Sequence, residues 1–400
     1  MSKLLTKLSR LGGLAKNLAL LLTTLILCFA VLEIGTRVLT DIPPAITERH
    51  PVVGKTYRPN FRGNVFVAES GNTVYLRFNR EGFRGEDVPF EKGPDVRRIA
   101  MIGDSFVAAI AVEEDQTAVV QLERLLGASH PEVRWEVLNF GVSSSSTGQE
   151  LVLFREVVSR YRPDLVICAY STFNDFADNS NRLTTQSRVY FELDGQGRLV
   201  QHSLSASRAA LSGFLNRHSR FYLWQKEATE VFKYRVKETI APLGTGRWIF
   251  STEQTEDLRD TWELNARLIG AFNDEAEDHG ARFVLAAFPC AEQVYDDVWE
   301  DVLEQAGELA GHFDPDHPEE RLKTICAKRG IPFLPMTNDF RQAAGRRRLA
   351  GADPEEWLFL NGKDHFNPAG NRVTAEIIHR FLTEGEGREI LDHILPQSGI

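Results

Sequence analysis

The sequence predicts an α/β fold built on a parallel sheet, and three observations predict it. The unbroken apolar run Ile99–Ile102 reads as a strand buried on both faces, and Trp135–Phe140, Leu165–Tyr170 and Arg282–Phe288 read as further strands. Stretches of helical periodicity separate them, so successive strands run parallel through right-handed crossovers. Three of the runs stop at small or polar residues, Gly103-Asp104-Ser105, Gly141 and Ser171-Thr-Phe-Asn-Asp175. Those stops lie at the carboxyl ends of strands, where open α/β sheets place their ligand sites.

A chain of 400 residues holds one large domain or two ordinary ones. Its 42% hydrophobic and 26% charged content is globular. A net charge of −10 with no long basic run argues against a nucleic-acid or anionic-membrane surface. Cys28, Cys168, Cys290 and Cys326 lack metal-type spacing, and they read as buried free thiols, with a single disulfide left open. Neither a metal nor a cofactor is expected.

Taken in order, Lys3, Lys7, Arg10 and Lys16 precede an apolar run from Leu18 to Leu32, closed by Glu33 and Arg37. The run is shorter than the ~20 residues that cross a bilayer. Snorkelling by Lys16 and extension through Ile34, Gly35 and Thr36 lengthen it. A basic front and an apolar centre suit either an uncleaved signal anchor or a cleaved signal peptide. Cys28-Phe29-Ala30 is a weak cleavage site, and Leu27 before Cys28 makes no lipobox. As an anchor, residues 1–40 leave the N-terminus in the cytoplasm and everything after about Thr40 outside it.

Residues 41–96 read as a linker and an N-terminal β extension. Pro43-Pro44, Pro51 and Pro59 forbid a long helix. Thr73–Phe78 alternates like a half-exposed strand, and Asn79–Gly85 turns. The α/β domain spans 97–400. Ala118–Leu126 is its first helix, with Val119, Leu122 and Leu126 on one face and Asp115 as the candidate N-cap. Gln149–Tyr161 is the second. An insertion at about 180–250 then breaks the rhythm. Val189–Leu193 and Leu199–His202 flank Asp194-Gly-Gln-Gly197 as a hairpin. Phe214, Phe221, Tyr222, Trp224, Phe232 and Tyr234 follow, in a segment expected to pack over one end of the sheet, either as a lid or as a plain apolar helix face. The pattern resumes with a helix at Thr255–His279 and the strand Arg282–Phe288. Helices at Asp297–Leu309 and Pro318–Arg329 and a short strand at Ile331–Leu334 come next. The last helix starts at Pro368, capped by Asn367, and runs to about Leu382. His365 lies on the loop just before it.

Ser105 offers a hydroxyl, Gly141 a backbone N–H, Asn174 an amide and His365 an imidazole. Ester cleavage needs a nucleophile, a base and donors for the developing oxyanion, and histidine titrates in the useful range. Each residue taken singly has an ordinary reading, since Gly, Asp and Ser are common turn formers. Asp104 and Asp175 read as carboxylates that brace loops by accepting backbone N–H bonds.

Gly103-Asp-Ser-Phe106, Asn139-Phe-Gly141, Asn174-Asp175 and His365 fall in the order of the four sequence blocks of the SGNH/GDSL hydrolases. The chain resembles that family over roughly Asn79 to Leu382. It is most similar to membrane-anchored bacterial members, which share the Asn79–Gly85 turn and Asn367-Pro-Ala-Gly370. The resemblance implies a flavodoxin-like three-layer α/β/α sandwich behind an N-terminal transmembrane helix. It implies Ser105 as nucleophile, His365 as general base, and an oxyanion hole of the Ser105 and Gly141 N–H groups with the Asn174 side chain. It further implies an extracytoplasmic serine esterase at the bacterial inner membrane, removing small acyl groups such as acetyl from a glycan or lipid. An O-acyltransferase acting on a cell-envelope polysaccharide and a non-catalytic envelope scaffold or glycan-binding protein are the alternatives. Partners are then the acylated substrate and the membrane, with no nucleic acid. Two positions depart from the family pattern. Thr172 stands where the third block usually has glycine. Gly362 stands where the last block usually has its aspartate, which leaves Asp364, adjacent to His365, as the residue expected to orient the imidazole.

Overall fold

The computed structural model describes residues 2–40, 45–50, 52–184, 189–203, 206–226, 228–229, 246–253, 255–349, 351, 357–362 and 365–395. The chain divides into two units, Met1–Ala45 with Ala210–Val236, and Ile46–Ala209 with Lys237–Ile400. In the first unit, α1 (Ser2–Leu39) contains a stretch of 25 residues, Ala15–Leu39, whose most apolar window has a hydropathy of 2.4, long and apolar enough to cross a membrane. Its Thr23, Thr24 and Thr36 hydroxyls bond the carbonyls four residues back, which satisfies them within the helix itself.

The second unit starts with two antiparallel hairpins, β1 (Thr47–His50) with β2 (Gly54–Tyr57) and β3 (Arg62–Val67) with β4 (Asn72–Arg77). Then follow β5 (Val96–Gly103), α2 (Ser105–Ala108), α3 (Ala118–Ser129), β6 (Arg134–Gly141), α4 (Thr147–Glu156), β7 (Leu165–Ser171) and α5 (Asp175–Asp178). The inserted hairpin β8 (Tyr190–Leu193) and β9 (Leu199–His202) leads into α6 (Ala206–His218). After it come α7 (Glu256–Asp278), β10 (Arg282–Phe288), α8 (Ala291–Val294), α9 (Asp296–Ala306), α10 (His317–Ala327), β11 (Phe333–Pro335), α11 (Thr337–Leu349), α12 (Pro368–Glu384) and α13 (Arg388–Ile394).

Five strands form one parallel sheet in the order β11-β10-β7-β5-β6. Counted along the chain and read from β6, this is the flavodoxin-like order 2-1-3-4-5. Alternate residues of β5 enter opposite cores, as a two-residue period requires. Ala100 and Ile102 pack with Leu151, Phe154, Phe272 and Leu322 of α4, α7 and α10. Ile99 and Met101 pack with Val119, Leu122, Phe340 and Ile378 of α3, α11 and α12. Helices therefore cover both faces, and the α/β/α sandwich is complete. The chain reverses its winding between β5 and β7, which makes the carboxyl ends of those two strands the switch point of the sheet.

Several expectations need correction. The cap of α3 is Thr117, whose hydroxyl accepts from Val120 N, while Asp115 lies inside the preceding 3₁₀ turn. The helix expected to reach Tyr161 ends at Glu156 and tightens into a 3₁₀ turn. The insertion splits. Its hairpin stays with the sheet, burying Phe191 in the α4–α7 core, whereas the helical residues from Ala210 group with α1. Phe232 and Tyr234 lie outside the described residues. All four cysteines are free. Cys168, Cys290 and Cys326 are buried, but Cys28 is exposed on α1.

The N-terminal extension packs against the sheet's carboxyl edge. Tyr57 stacks on Phe78 with centroids 4.3 Å apart, and Val74, Leu76 and Ala108 share their small core. Buried Arg84 donates to the Ala108, Ala109 and Val112 carbonyls, satisfying groups that the end of a helix leaves unpaired. From the other side, Gly141 at the end of β6 lies directly against α2. A Cβ there would stand 2.1 Å from Ala108 N and 2.6 Å from Val107 C. Because those are backbone atoms, Gly141→Ala should displace α2 and cost about 3 kcal/mol. Thermal unfolding of the full chain in detergent should show a lower Tm, and an unchanged Tm would contradict this packing.

Candidate active site

Strand β5 is buried to its end, where Gly103 turns the chain. A Cβ there would meet the Val107 Cγ2 methyl at 2.5 Å and Ala169 O at 3.2 Å, so a side chain would force its neighbours to shift. Asp104 then caps α2, its Oδ1 accepting Phe106 N at 2.9 Å. Ser105 is the first residue of α2 and is half-buried. Its Oγ lies 2.7 Å from His365 Nε2.

His365 reaches Ser105 from the loop between α11 and α12. A bridge between Phe359 and Phe366 and the bond from Leu360 N to His365 O, 2.7 Å, shape that loop. Asn367 ends it by accepting from Ala369 N and Gly370 N at the start of α12. Phe106 sits beside the imidazole with centroids 5.0 Å apart and against Phe366 at 4.7 Å. The residue after the serine thus wedges the histidine in place.

The third member comes from the extension. Glu69 occupies the tip of the β3–β4 hairpin, in a turn where Gly71 adopts φ 65. Its Oε1 accepts His365 Nδ1 at 2.6 Å and His365 N at 2.9 Å. Its backbone carbonyl accepts Asn361 Nδ2 at 2.7 Å. Burial pushes the Glu69 carboxyl up, but the bonds and charge of His365 outweigh it and hold the group below its ordinary value. With the carboxylate ionised, Nδ1 carries the proton and Nε2 is left to accept from the serine hydroxyl.

This geometry corrects the expected acid. The place at Nδ1 expected for Asp364 is taken by Glu69, and Asp364 itself lies outside the described residues. A side chain on a facing hairpin can meet both the backbone N–H and the ring of His365, which Glu69 does.

Gly141 also departs from expectation. Its N–H donates to Asn139 Oδ1 at 2.9 Å, and Asn139 Nδ2 donates in turn to Val107 O at 2.8 Å. That N–H is therefore spent within β6. The loop that follows wraps the serine turn instead, with Val142 N and Ser145 Oγ both bonded to Gly103 O, at 3.0 and 3.1 Å. Within it, exposed Ser144 is held at φ 62, a strained conformation for a residue with a Cβ. Its N–H takes no partner among the described residues. Asn174 stands at the end of the neighbouring strand β7, with Nδ2 3.3 Å from Asp178 Oδ2. Thr172 turns its hydroxyl to Phe288 O, 3.1 Å, and to Gln293. The side chain that replaces glycine thus ties β7 to β10.

Three carboxyl groups are buried under this surface, Asp104, Glu150 and Asp175. Asp104 and Asp175 brace their loops by accepting Phe106 N and Ser171 N. Glu150 Oε1 lies 2.9 Å from Ser145 Oγ, whose own hydrogen goes to Gly103 O, so the protonated carboxyl donates to the hydroxyl. Burial raises all three. Asp104 rises to about 6, held back by the Phe106 N–H. Glu150 rises to about 8, with the Asp104 charge adding to burial. Asp175 is raised too, by burial and then by Glu150 and Asp104.

No family model matches the sequence, and no curated protein matches it. Among solved structures, the chain is similar to an acetyl xylan esterase at 11% identity, covering 70% of this chain and 97% of that one with a TM-score of 0.40. An α/β hydrolase enzyme from the metagenome of Lake Arreo, Spain, is 14% identical, with 76% and 98% covered and a TM-score of 0.39. A lipase/acylhydrolase from Enterococcus faecalis is 12% identical, with 73% and 96% covered and a TM-score of 0.38. Likeness this loose decides nothing about activity. The sheet order carries the fold, and the hydrogen-bonded line from Ser105 through His365 to Glu69 carries the chemistry.

The buried carboxyls make stability depend on pH in a stated direction. Between the ordinary glutamate value of 4.5 and about 8, Glu150 keeps its proton in the fold and loses it on unfolding. Stability should therefore fall as pH rises through that window. Glu150→Gln should flatten the fall of Tm between about pH 5 and pH 8. Equal slopes for the variant and the natural chain would contradict a protonated Glu150.

Proposed function

We propose that this chain is a serine ester hydrolase working through an acyl–Ser105 intermediate. The observation that carries the reading is the pair of short contacts on one imidazole, Ser105 Oγ to Nε2 at 2.7 Å and Glu69 Oε1 to Nδ1 at 2.6 Å. A serine hydroxyl is a weak nucleophile until a base takes its proton. As Oγ attacks the ester carbonyl carbon, its proton passes to Nε2. The imidazolium then gives that proton to the departing alkoxide. Water resolves the acyl-enzyme by the same route in reverse order, returning the proton to Ser105. Throughout, Glu69 stays ionised, fixes the tautomer and stabilises the imidazolium.

The developing oxyanion needs donors in place before the reaction. Ser105 N–H lies at the first position of α2, where helical N–H groups have no partner within the helix. Asn174 offers the amide proton that Asp178 does not take. The third donor we assign to Ser144 N–H rather than to Gly141, because the Ser144 loop wraps Gly103 and the Gly141 N–H is already bonded. The site lies at the switch point between β5 and β7, which supports a ligand-binding role. We further propose that the ester carries a small acyl group such as acetyl on a glycan or lipid. The apolar stretch Ala15–Leu39 behind Lys3, Lys7, Arg10 and Lys16 supports a catalytic unit held on the outer side of a bacterial inner membrane.

A fluorophosphonate should label Ser105, as mapped by mass spectrometry. Ser105→Ala should lower kcat on p-nitrophenyl acetate by a factor on the order of 10⁴ or more. Asn174→Ala should cost roughly 10²–10³. Unchanged turnover in Ser105→Ala would sink the proposal, and a loss under about threefold in Asn174→Ala would remove that residue from the oxyanion hole.

A further inference from the structure

Glu33 is the one acidic residue of α1, and it lies in the apolar stretch six residues before its end at Leu39, about 9 Å along the axis. A carboxylate there is expensive unless it is paired. Its partners come from the insertion, nearly two hundred residues away. Ser219 Oγ donates to it at 2.7 Å, Arg220 N at 3.0 Å and Phe221 N at 3.1 Å. Those N–H groups open a helix over 220–226, so Glu33 closes a helix start that would otherwise be unsatisfied. Arg37, one turn further along α1, donates to Glu33 at 2.7 Å and to His218 O at 2.8 Å. Toward the centre of α1 by one turn, Phe29 meets Phe221 edge-on with centroids 6.0 Å apart.

These contacts fix what surrounds the helices. Phe29 and Glu33 lie on one face of α1, near the end of its apolar stretch. Whatever environment α1 meets at that level also meets the residues docked against it. On the helices that make these contacts, the insertion exposes Leu211 at 61%, Phe214 at 60% and Trp224 at 45%. Leu211 and Phe214 share one face of α6, and Phe221 stacks on Trp224 at 6.1 Å. Apolar and aromatic side chains on helices docked to α1 that also carry Arg217, Arg220 and Lys226 have the make-up of elements that lie in a membrane interface.

We propose that residues 211–226 are a second membrane contact, which Glu33 docks onto α1 and which seats Leu211, Phe214 and Trp224 at the headgroup–acyl boundary of the bilayer. The proposal rests on α1 remaining in the protein as a membrane-spanning anchor. It gives α1 a structural duty that cleavage would abolish, because removing α1 would take Glu33 from the Arg220 and Phe221 N–H groups and Phe29 from the Phe221 ring.

Tryptophan quenching tests this, because Trp135, Trp248, Trp262, Trp299 and Trp357 all belong to the other unit. The full chain would be reconstituted in phosphatidylcholine–phosphatidylglycerol vesicles whose acyl chains carry bromine. Quenching by bromolipid should fall at least about twofold in Trp224→Phe, and by a similar factor in Glu33→Ala. Both variants should stay in the vesicles under alkaline carbonate, since α1 still spans. Release of the natural chain by carbonate would overturn the anchor and the proposal with it. Retention with the same quenching in Trp224→Phe as in the natural chain would overturn the membrane contact alone, leaving that face to another occupant. Unchanged quenching in Glu33→Ala would overturn the docking role of Glu33.

Discussion

A carboxylate on a hairpin tip and a histidine 296 residues later hold each other by two hydrogen bonds, one from the ring and one from the backbone N–H, and much of the sheet-bearing unit serves to keep them there. The hairpin cannot be placed by its own strands, because an isolated two-stranded hairpin is marginal in water. It is placed from behind. Tyr57, Val74, Leu76 and Phe78 form one small core with Ala108 of α2, Arg84 binds the end of α2, and Arg77 pairs with Glu114 at 2.6 Å. The element that carries Glu69 and the element that carries Ser105 thus share a core. Phe106 links the same short helix to the His365 loop. Movement in any of the three elements is felt by the other two, which is how a relay assembled from distant segments keeps its hydrogen-bond distances.

The Glu69–His365 pair has side chains 24% and 32% exposed, and a pair so wetted adds little to stability. Its value is orientation. Solvent acts oppositely on the carboxyls beneath. Glu69 meets two donors on His365, so the charged form wins over burial. Asp104 and Asp175 each keep one buried oxygen without a described partner, and burial wins there. The serine turn therefore rests on groups that hold protons more tightly than ordinary carboxyls, while the acid of the relay holds its proton less tightly. Environments that separate the carboxyls in this way are how one fold assigns different roles to the same side chain.

The sheet is legible because most of its strands centre on short apolar runs and the helices around it carry apolar faces. The β10 boundaries, Arg282 to Phe288, agree with the sequence reading at both ends. Thr117 and Asp115 are both acceptable caps, and only the backbone conformation at 117 separates them. Helix α11 gives no such signal, because its polar, arginine-rich sequence has little apolar period. Ser105 and His365 were legible because each sits at a recognisable boundary, a strand end and a helix start. Glu69 was not. It lies in an ordinary Ala-Glu-Ser-Gly turn, and its role depends wholly on where tertiary packing carries that turn. Gly141 is ambiguous in the sequence for a related reason. A glycine at a strand end announces close approach, but not whether a ligand or α2 makes it, and here it is α2. The helical insertion looked like a cover for the sheet because its aromatic residues give no hint of their partner, and that partner includes a glutamate in the apolar N-terminal helix.

The central claim is that the extension supplies the acid of the relay, and the direct test compares two variants of the full chain on one ester. Glu69→Gln keeps the shape and removes the charge, so kcat should fall by roughly 10²–10⁴ with KM little changed, as when the acid of a serine triad is neutralised. Asp364→Asn, assayed beside it, should lose less than about tenfold. A full rate in Glu69→Gln together with a collapse in Asp364→Asn would return the role to the residue beside His365 and contradict the account.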